Sequence, residues 1–516
     1  MSKFFKIANI ELFILIFFGI IIICVILVEY FLQGLISNHI NKLIFNDNQE
    51  DQTITIAYPI NFPTLDPLSF DSVERSILSN VFEPLVKFDA YLEIKPALAS
   101  SWGLLDDHKT WEFKLRQKVK FNNDENFTAV NVVNTFNTIK KSSSDLKNFI
   151  SNINQIEIID DYNLNFILKT EDPFFLSKLS TILIFLSGPN NQYYGTGAYS
   201  IDSYTNDTVK LTVNNNYYDI KPNFQNMIFT TIRAPEERLK TLEKDTADIV
   251  VNLPVNFPDS LISQSKVEVI SFPALINYFL GFNTQNNYLS NLNIRKAIIL
   301  SIDKTQIAAL AASNIAEANQ FSSPGVFGFN PNIGETKVNL DLAKIMMEKE
   351  TAYKRISLNL DLPVGLEAVG DYLKNEFFKI GLDLNLNYHS EDDLLDVIKK
   401  GQTELYLLAW KHELGDMNDF YINMVHSRSN NFGTYNANYY NNKTVDQLIE
   451  TAEKTIDDKK RQKMFQDVMT YIVEKDPFGL PLFNAKIIYG VSHKIKFQPR
   501  YDGYIIGSEI GLNELK

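Results

Sequence analysis

Cysteine is almost absent from this chain. Cys24 is the only one in 516 residues, so an intrachain disulfide framework and a thiolate metal cluster are both excluded. Histidine is scarce as well. His39, His108, His389, His412, His426 and His493 include no pair at the HxxxH spacing that sets two imidazoles on one helix face. Each reads as an isolated surface or core residue. Neither a GxxxxGK[ST] phosphate loop nor a GxSxG nucleophile elbow occurs, which removes two common enzyme signatures. Excess basic charge is missing too. The formal net charge is −13, and a surface of that sign is repelled by phosphate backbones, so nucleic acid is not an expected partner.

What is present divides the chain unevenly. Leu12–Val28, LFILIFFGIIIICVILV, carries no charge. With the flanking Tyr30–Leu32 it is long enough for a hydrocarbon core of about 30 Å at 1.5 Å per helical residue. Bulky residues follow it where a cleavage site would place small ones, and Ile21–Ile23 precede Cys24 where a lipidation signal would also place small ones. An uncleaved anchor over 12–36 is expected. Lys3 and Lys6 favour residues 1–11 on the cytoplasmic side and the remainder outside. Polar residues 37–52 read as a linker.

From Thr53 onward, strand and helix periods alternate. Thr53–Ala57, Trp111–Leu115, Tyr162–Leu168, Thr208–Val213, Ile356–Leu362 and Leu382–Tyr388 alternate apolar and polar residues, as half-buried strands do. Ser72–Leu85, Ala129–Lys140, Arg295–Ser301, Ala368–Ile380, Thr444–Ile456 and Arg461–Val473 carry helical stripes. The interleaving predicts an α/β architecture, and no fixed-period repeat is visible. Asp416, Asn418 and Asp419 fall short of a calcium-loop pattern and read as a solvated acidic loop.

Several segments in order resemble the oligopeptide, dipeptide and nickel binding proteins of ABC importers, solute-binding protein family 5. They are Leu65-Asp-Pro67, Asn80–Leu85, Ile94–Ala99, Trp102, Trp111–Arg116, Phe127–Val133, Gly195–Tyr199, Leu211–Tyr218, Gly281–Thr284, Ile294–Ala297 with Ile302-Asp303, Trp410–Phe420 and Asp476–Leu482. Asn123–Glu125 lacks the family's usual loop glycine, and Ala198 replaces a common proline. The resemblance implies a bilobal periplasmic-binding-protein-like fold with a hinge and an extra inserted domain. Carried over, 53–82, 188–273 and 485–516 build the first lobe, 83–187 its extra domain, and 274–484 the second lobe.

The resemblance also implies a function. A short peptide is captured between the lobes and handed to the permease and ATPase subunits of an importer, by a monomer with no cofactor, no metal and no catalytic role. A buried peptide needs counter-charges for its termini and hydrogen bonds for its amides. The family's ammonium-binding acid maps to Glu413, three residues after Trp410. Trp410 would wall a side-chain pocket, and Lys411 would offer backbone groups to a peptide added as a strand. Tyr278, Phe279, Phe70 and Ser72 fall where the family touches ligand. The same fold serves nickel chelates, haem, sugars and antibiotics in other members, so a non-peptide cargo stays open, as does a sensor or chaperone-like binding module.

Overall fold

A computed structural model describes residues 53–253, 267–310, 315–429 and 432–513. The expected anchor and linker lie outside the described residues. Among the described residues, no helix is long and apolar enough to cross a membrane.

The spine of the fold is an 11-stranded sheet. One half of it contains Tyr199–Thr205, Thr208–Val213, Asn226–Thr231, Thr53–Tyr58 and Ile249–Val251. The other half contains Leu405–Lys411, Ile356–Pro363 and Leu382–His389. Two long strands, Val267–Phe282 and Gly479–Ser492, run through both halves as an antiparallel pair. At one end Gly479–Ser492 pairs with Ile249–Val251. At the other, Val267–Phe282 pairs with Leu405–Lys411 from Ile276 to Phe282. Gly479–Ser492 carries almost no apolar–polar alternation, because it is covered on both faces, as is the second half of Val267–Phe282.

Between the halves their register breaks. Pro273 faces Lys486, and pairing resumes with Asn277 against Asn484. The first strand therefore passes through Ala274–Ile276 with more residues than its partner, a bulge that bends and twists the ladder. Pro273 has no N–H to give. Asn277, fully buried, re-anchors the crossing by donating through Nδ2 to Asn484 Oδ1 at 2.8 Å and to the Gln320 carbonyl at 3.2 Å. A bulge across these long shared strands is a natural place for one lobe to pivot on the other.

Separate hydrophobic clusters mark the parts. One is built on Ile54, Ile56, Phe62, Tyr199, Phe229 and Tyr489. A second fills the space between the four-stranded sheet Ala99–Leu104, Thr110–Leu115, Asn163–Leu168 and Ile153–Asp160 and the helix Ala129–Lys141. Val132, Phe136 and Ile139 form the buried stripe of that helix, as its 3.6-residue period requires. Two further clusters occupy the half of the sheet that contains Leu405–Lys411. The lobes touch. Phe174 stacks on Phe465 with centroids 6.2 Å apart and joins the second lobe's cluster, and Leu92 lies against Gly415.

Two expectations need correction. The helix that starts at Ser72 stops at Leu78 rather than Leu85. Asn80 ends it, donating to Ser76 O and Ile505 O at 2.9 Å, and the chain at Val81 then passes directly under Gly195 and Gly197. A Cβ at Gly195 would meet the Val81 carbonyl oxygen at 1.9 Å, so only glycine permits this approach. The loop at Asp416–Asp419 is solvated only at Asp419, which is exposed. Asp416 is 6% exposed and Asn418 7%. Burial raises the Asp416 carboxyl to about 7.

Candidate functional site

Two neighbouring cavities lie on the seam between the lobes. The larger, about 340 Å³, is lined by the end of the first strand at Tyr58–Ile60, by Ser72, Val73 and Ser76, by the bulge Ala274–Ile276, by Ala485–Ile487, by Tyr501–Gly503 and by Lys411. Its volume is within the range of small-ligand sites, ~300–1,000 Å³, and its lining is mostly apolar with a few polar groups. The smaller, about 90 Å³, is lined by Arg75, Thr181, Glu83, Arg500, Asp502, Tyr504 and, from the second lobe, Glu413. Asp502 belongs to both walls.

The expected site residues separate by strand alternation. Lys411 lines the larger cavity, while Trp410, one residue earlier, points to the opposite face. There it packs edge-on against Phe420 and Tyr435, with centroids 5.7 and 6.0 Å away. Its indole Nε1 is buried without a partner. Phe279 is completely buried among Phe321, Tyr406, Phe420 and Phe478, which makes it part of the second lobe's core. Tyr278 stacks on Phe483 at 4.5 Å. Phe70 packs on Phe149 at 5.0 Å. Neither of these two lines either cavity. Ser72 and Lys411 share the larger cavity, and Glu413 reaches the smaller one. Glu413 is 35% exposed and takes an ion pair from Lys411 Nζ at 2.8 Å.

Residues that sequence reasoning passed over complete the walls. Arg75 is 2% exposed. It stands on the short helix Ser72–Leu78 off the stripe of Val73 and Ile77, where a solvated charge would be assumed. Its Nη2 donates to the Thr181 carbonyl, and the Tyr504 hydroxyl and the Glu413 charge are its electrostatic neighbours. Burial holds the Tyr504 hydroxyl up to about 12 despite Arg75 beside it. Arg500, 5% exposed, makes a two-nitrogen contact with Asp502, Nε to Oδ1 at 3.0 Å and Nη2 to Oδ2 at 2.6 Å.

Glu83 is the buried acid of the smaller cavity. Oε1 accepts from Tyr218 at 2.9 Å and Oε2 from Thr196 at 3.0 Å. Burial outweighs these bonds and the nearby Lys87 charge and raises the carboxyl from 4.5 to about 7. In that window the folded chain holds a proton that the unfolded chain has lost. This contribution to stability is complete below about 4.5 and disappears as pH rises through about 7. Glu83→Gln should therefore reduce the loss of melting temperature between pH 5 and pH 8 relative to the unaltered chain. Identical slopes would show that Glu83 does not titrate there. His412, pushed down to about 4 by burial, acts with the opposite sign in both proteins and cancels in the comparison.

Comparison with known proteins decides the family. The description "bacterial extracellular solute-binding proteins, family 5 Middle" matches residues 93–432. The chain belongs to this family. As a family 5 solute-binding protein it is 26% identical over 454 residues to a putative binding protein of Haemophilus influenzae, covering 81% of this chain and 82% of that one. It is 20% identical over 475 residues to the dipeptide-binding protein of Escherichia coli, covering 83% and 86%. The solved structure of HbpA2 from Haemophilus parasuis superposes with a TM-score of 0.79 at 20% identity, covering 90% of this chain and all of that one. The bilobal periplasmic-binding-protein-like fold follows. The family is one of extracellular solute-binding proteins rather than enzymes, and among the described residues no group of three or more metal-ligating side chains could hold an ion.

Proposed function

We propose that this family 5 protein is the extracytoplasmic substrate-binding component of an ABC importer, that it captures short peptides on the seam between its lobes, and that residues 12–36 tether it to the membrane. The cavity that Ser72 of one lobe and Lys411 of the other both line carries the reading. A ligand there touches both lobes and the bulged crossing strands, so binding energy is coupled to closure. The strand ends at Tyr58–Ile60 and Lys411 flank room for an extended backbone, while the apolar walls accept side chains without demanding one shape. Similarity to a dipeptide-binding protein supports peptide over other cargo. On this reading 53–82, 188–273 and 485–516 act as the first lobe, 83–187 as its extra domain and 274–484 as the second lobe, in a monomer that presents closed lobes to the permease.

The test is native mass spectrometry of the full chain released from detergent micelles after exposure to a mixed library of free dipeptides and tripeptides. Retained masses that match library members are expected. A protein that retains none of them, but carries a non-peptide mass from its expression host, would move the reading to another transported solute.

A further inference from the structure

Arg75 is a buried cation whose surroundings do not neutralise it. Nη2 donates to the Thr181 carbonyl, and the Tyr504 hydroxyl is a further hydrogen-bonding neighbour. Nε and Nη1 are buried and make no hydrogen bond. None of the ion pairs among the described residues includes Arg75. The two carboxylates that could offset it are otherwise engaged. Glu413 is held by Lys411 at 2.8 Å, and Asp502 is held by Arg500 at 2.6 Å. Arg500 also pairs with Glu509, and Glu83 is held by Tyr218 and Thr196, so among the charges lining the two cavities Arg75 has no ion pair of its own. A guanidinium withdrawn from water with two nitrogens unsatisfied is costly unless something supplies an acceptor, best an anion.

The smaller cavity that Arg75 lines has a volume of about 90 Å³. That is room for roughly three waters at ~30 Å³ each, enough for a planar carboxylate and too little for a peptide. The larger cavity beside it has the space for the rest of the ligand. We infer that Arg75 is the seat of a ligand carboxylate, which enters the small polar cavity and takes a hydrogen bond from the unsatisfied Nε or Nη1 while the body of the ligand fills the larger cavity. This deepens the proposed peptide reading and rests on it for the identity of the ligand, but not for the carboxylate. The Tyr504 hydroxyl stands where it can donate a further bond, and the adjoining Glu413 remains free to meet an ammonium once Lys411 turns aside. A ligand that brings both charges to one seam is short, because each added residue of extended chain separates its termini by about 3.3–3.6 Å.

The experiment compares a library of free-acid dipeptides with the same library as C-terminal amides on the full chain, and repeats both on Arg75→Met. A panel of small carboxylates, succinate and citrate among them, is run in parallel by thermal shift. The expected result is retention of free acids at least tenfold better than amides by the unaltered chain, with that preference lost in R75M. Equal retention of acids and amides by the unaltered chain overturns the Arg75 assignment and leaves peptide capture standing. If neither library is retained, the peptide reading fails. The carboxylate panel then decides this one: a stabilising shift absent from R75M supports it, and no shift in either protein overturns it. The acid–amide comparison needs no variant, so a folding defect in R75M does not blunt it.

Discussion

Glu413→Gln is expected to weaken capture of a peptide with a free amino terminus about 30-fold while leaving an N-acetylated peptide of the same sequence unaffected. Removing one partner of a desolvated charge pair costs about 2–5 kcal/mol. Glu413 keeps 35% of its side chain exposed, so solvent screening places the effect at the low end, about 2 kcal/mol, and each 1.4 kcal/mol is a factor of ten in affinity. Glutamine preserves the length and one acceptor oxygen, so shape is held while charge is lost. Isothermal titration with the free and acetylated peptides reads the difference directly. The opposite sign is informative. If E413Q tightens binding of both peptides, Glu413 serves to moderate Lys411 and Arg75 rather than to hold an ammonium, and the carboxylate becomes the ligand's main anchor. An unchanged affinity for both would remove Glu413 from the site.

How much of this was legible in the sequence depends on which force set each element. Half-buried strands such as Asn163–Leu168 and Ile356–Pro363 were readable, because one face meets a core and the other meets polar surroundings. The same holds for the helices Ala129–Lys141 and Glu367–Lys379, whose stripes are regular. The two crossing strands, which position the seam, were not readable by period. Gly479–Ser492 is buried along almost its whole length, and a strand covered on both faces shows no alternation. Resemblance to a family supplied the bilobal form and led to Glu413, Lys411 and Ser72. It also led to Trp410 and Phe279, where a one-residue step along a strand or a place in the core turns a side chain away from the cavities. Arg75 was missed for a different reason. A lone arginine off a helix's apolar stripe reads as solvated, and only tertiary packing by Thr181 and Tyr504 buries it. The acidic loop at Asp416 misled in the same way. Leu92 closes on Gly415 next to it, a contact far apart in sequence.

Arg500→Met is expected to lower stability by about 3–5 kcal/mol. The guanidinium holds three pieces of chain. It binds Asp502 with two nitrogens, Glu509 with Nη1 at 3.0 Å and the Phe88 carbonyl with Nη2 at 2.9 Å. It thus fastens the C-terminal segment to the hairpin of Val86–Phe88 and Ile94–Pro96. Glu509 is 44% exposed, so solvent screens it and it contributes little. Asp502 is 13% exposed, and stripping its partner leaves a carboxylate nearly out of water, the circumstance in which breaking a pair costs about 3–5 kcal/mol. Methionine fills much of the volume, so the loss reports charge rather than a cavity. Guanidinium denaturation followed by tryptophan fluorescence gives the magnitude, and a loss below about 1 kcal/mol would refute the assignment. The double variant Arg500→Met with Asp502→Asn supplies the internal control. It should recover part of the loss, since the neutral amide no longer requires a cation. Because Asp502 forms a wall of both cavities, the single variant should also weaken ligand capture, and the double variant should restore stability more fully than affinity. That split would show that the Arg500–Asp502 pair holds the floor of the seam in place for Arg75 and Lys411, beyond securing the C-terminal segment.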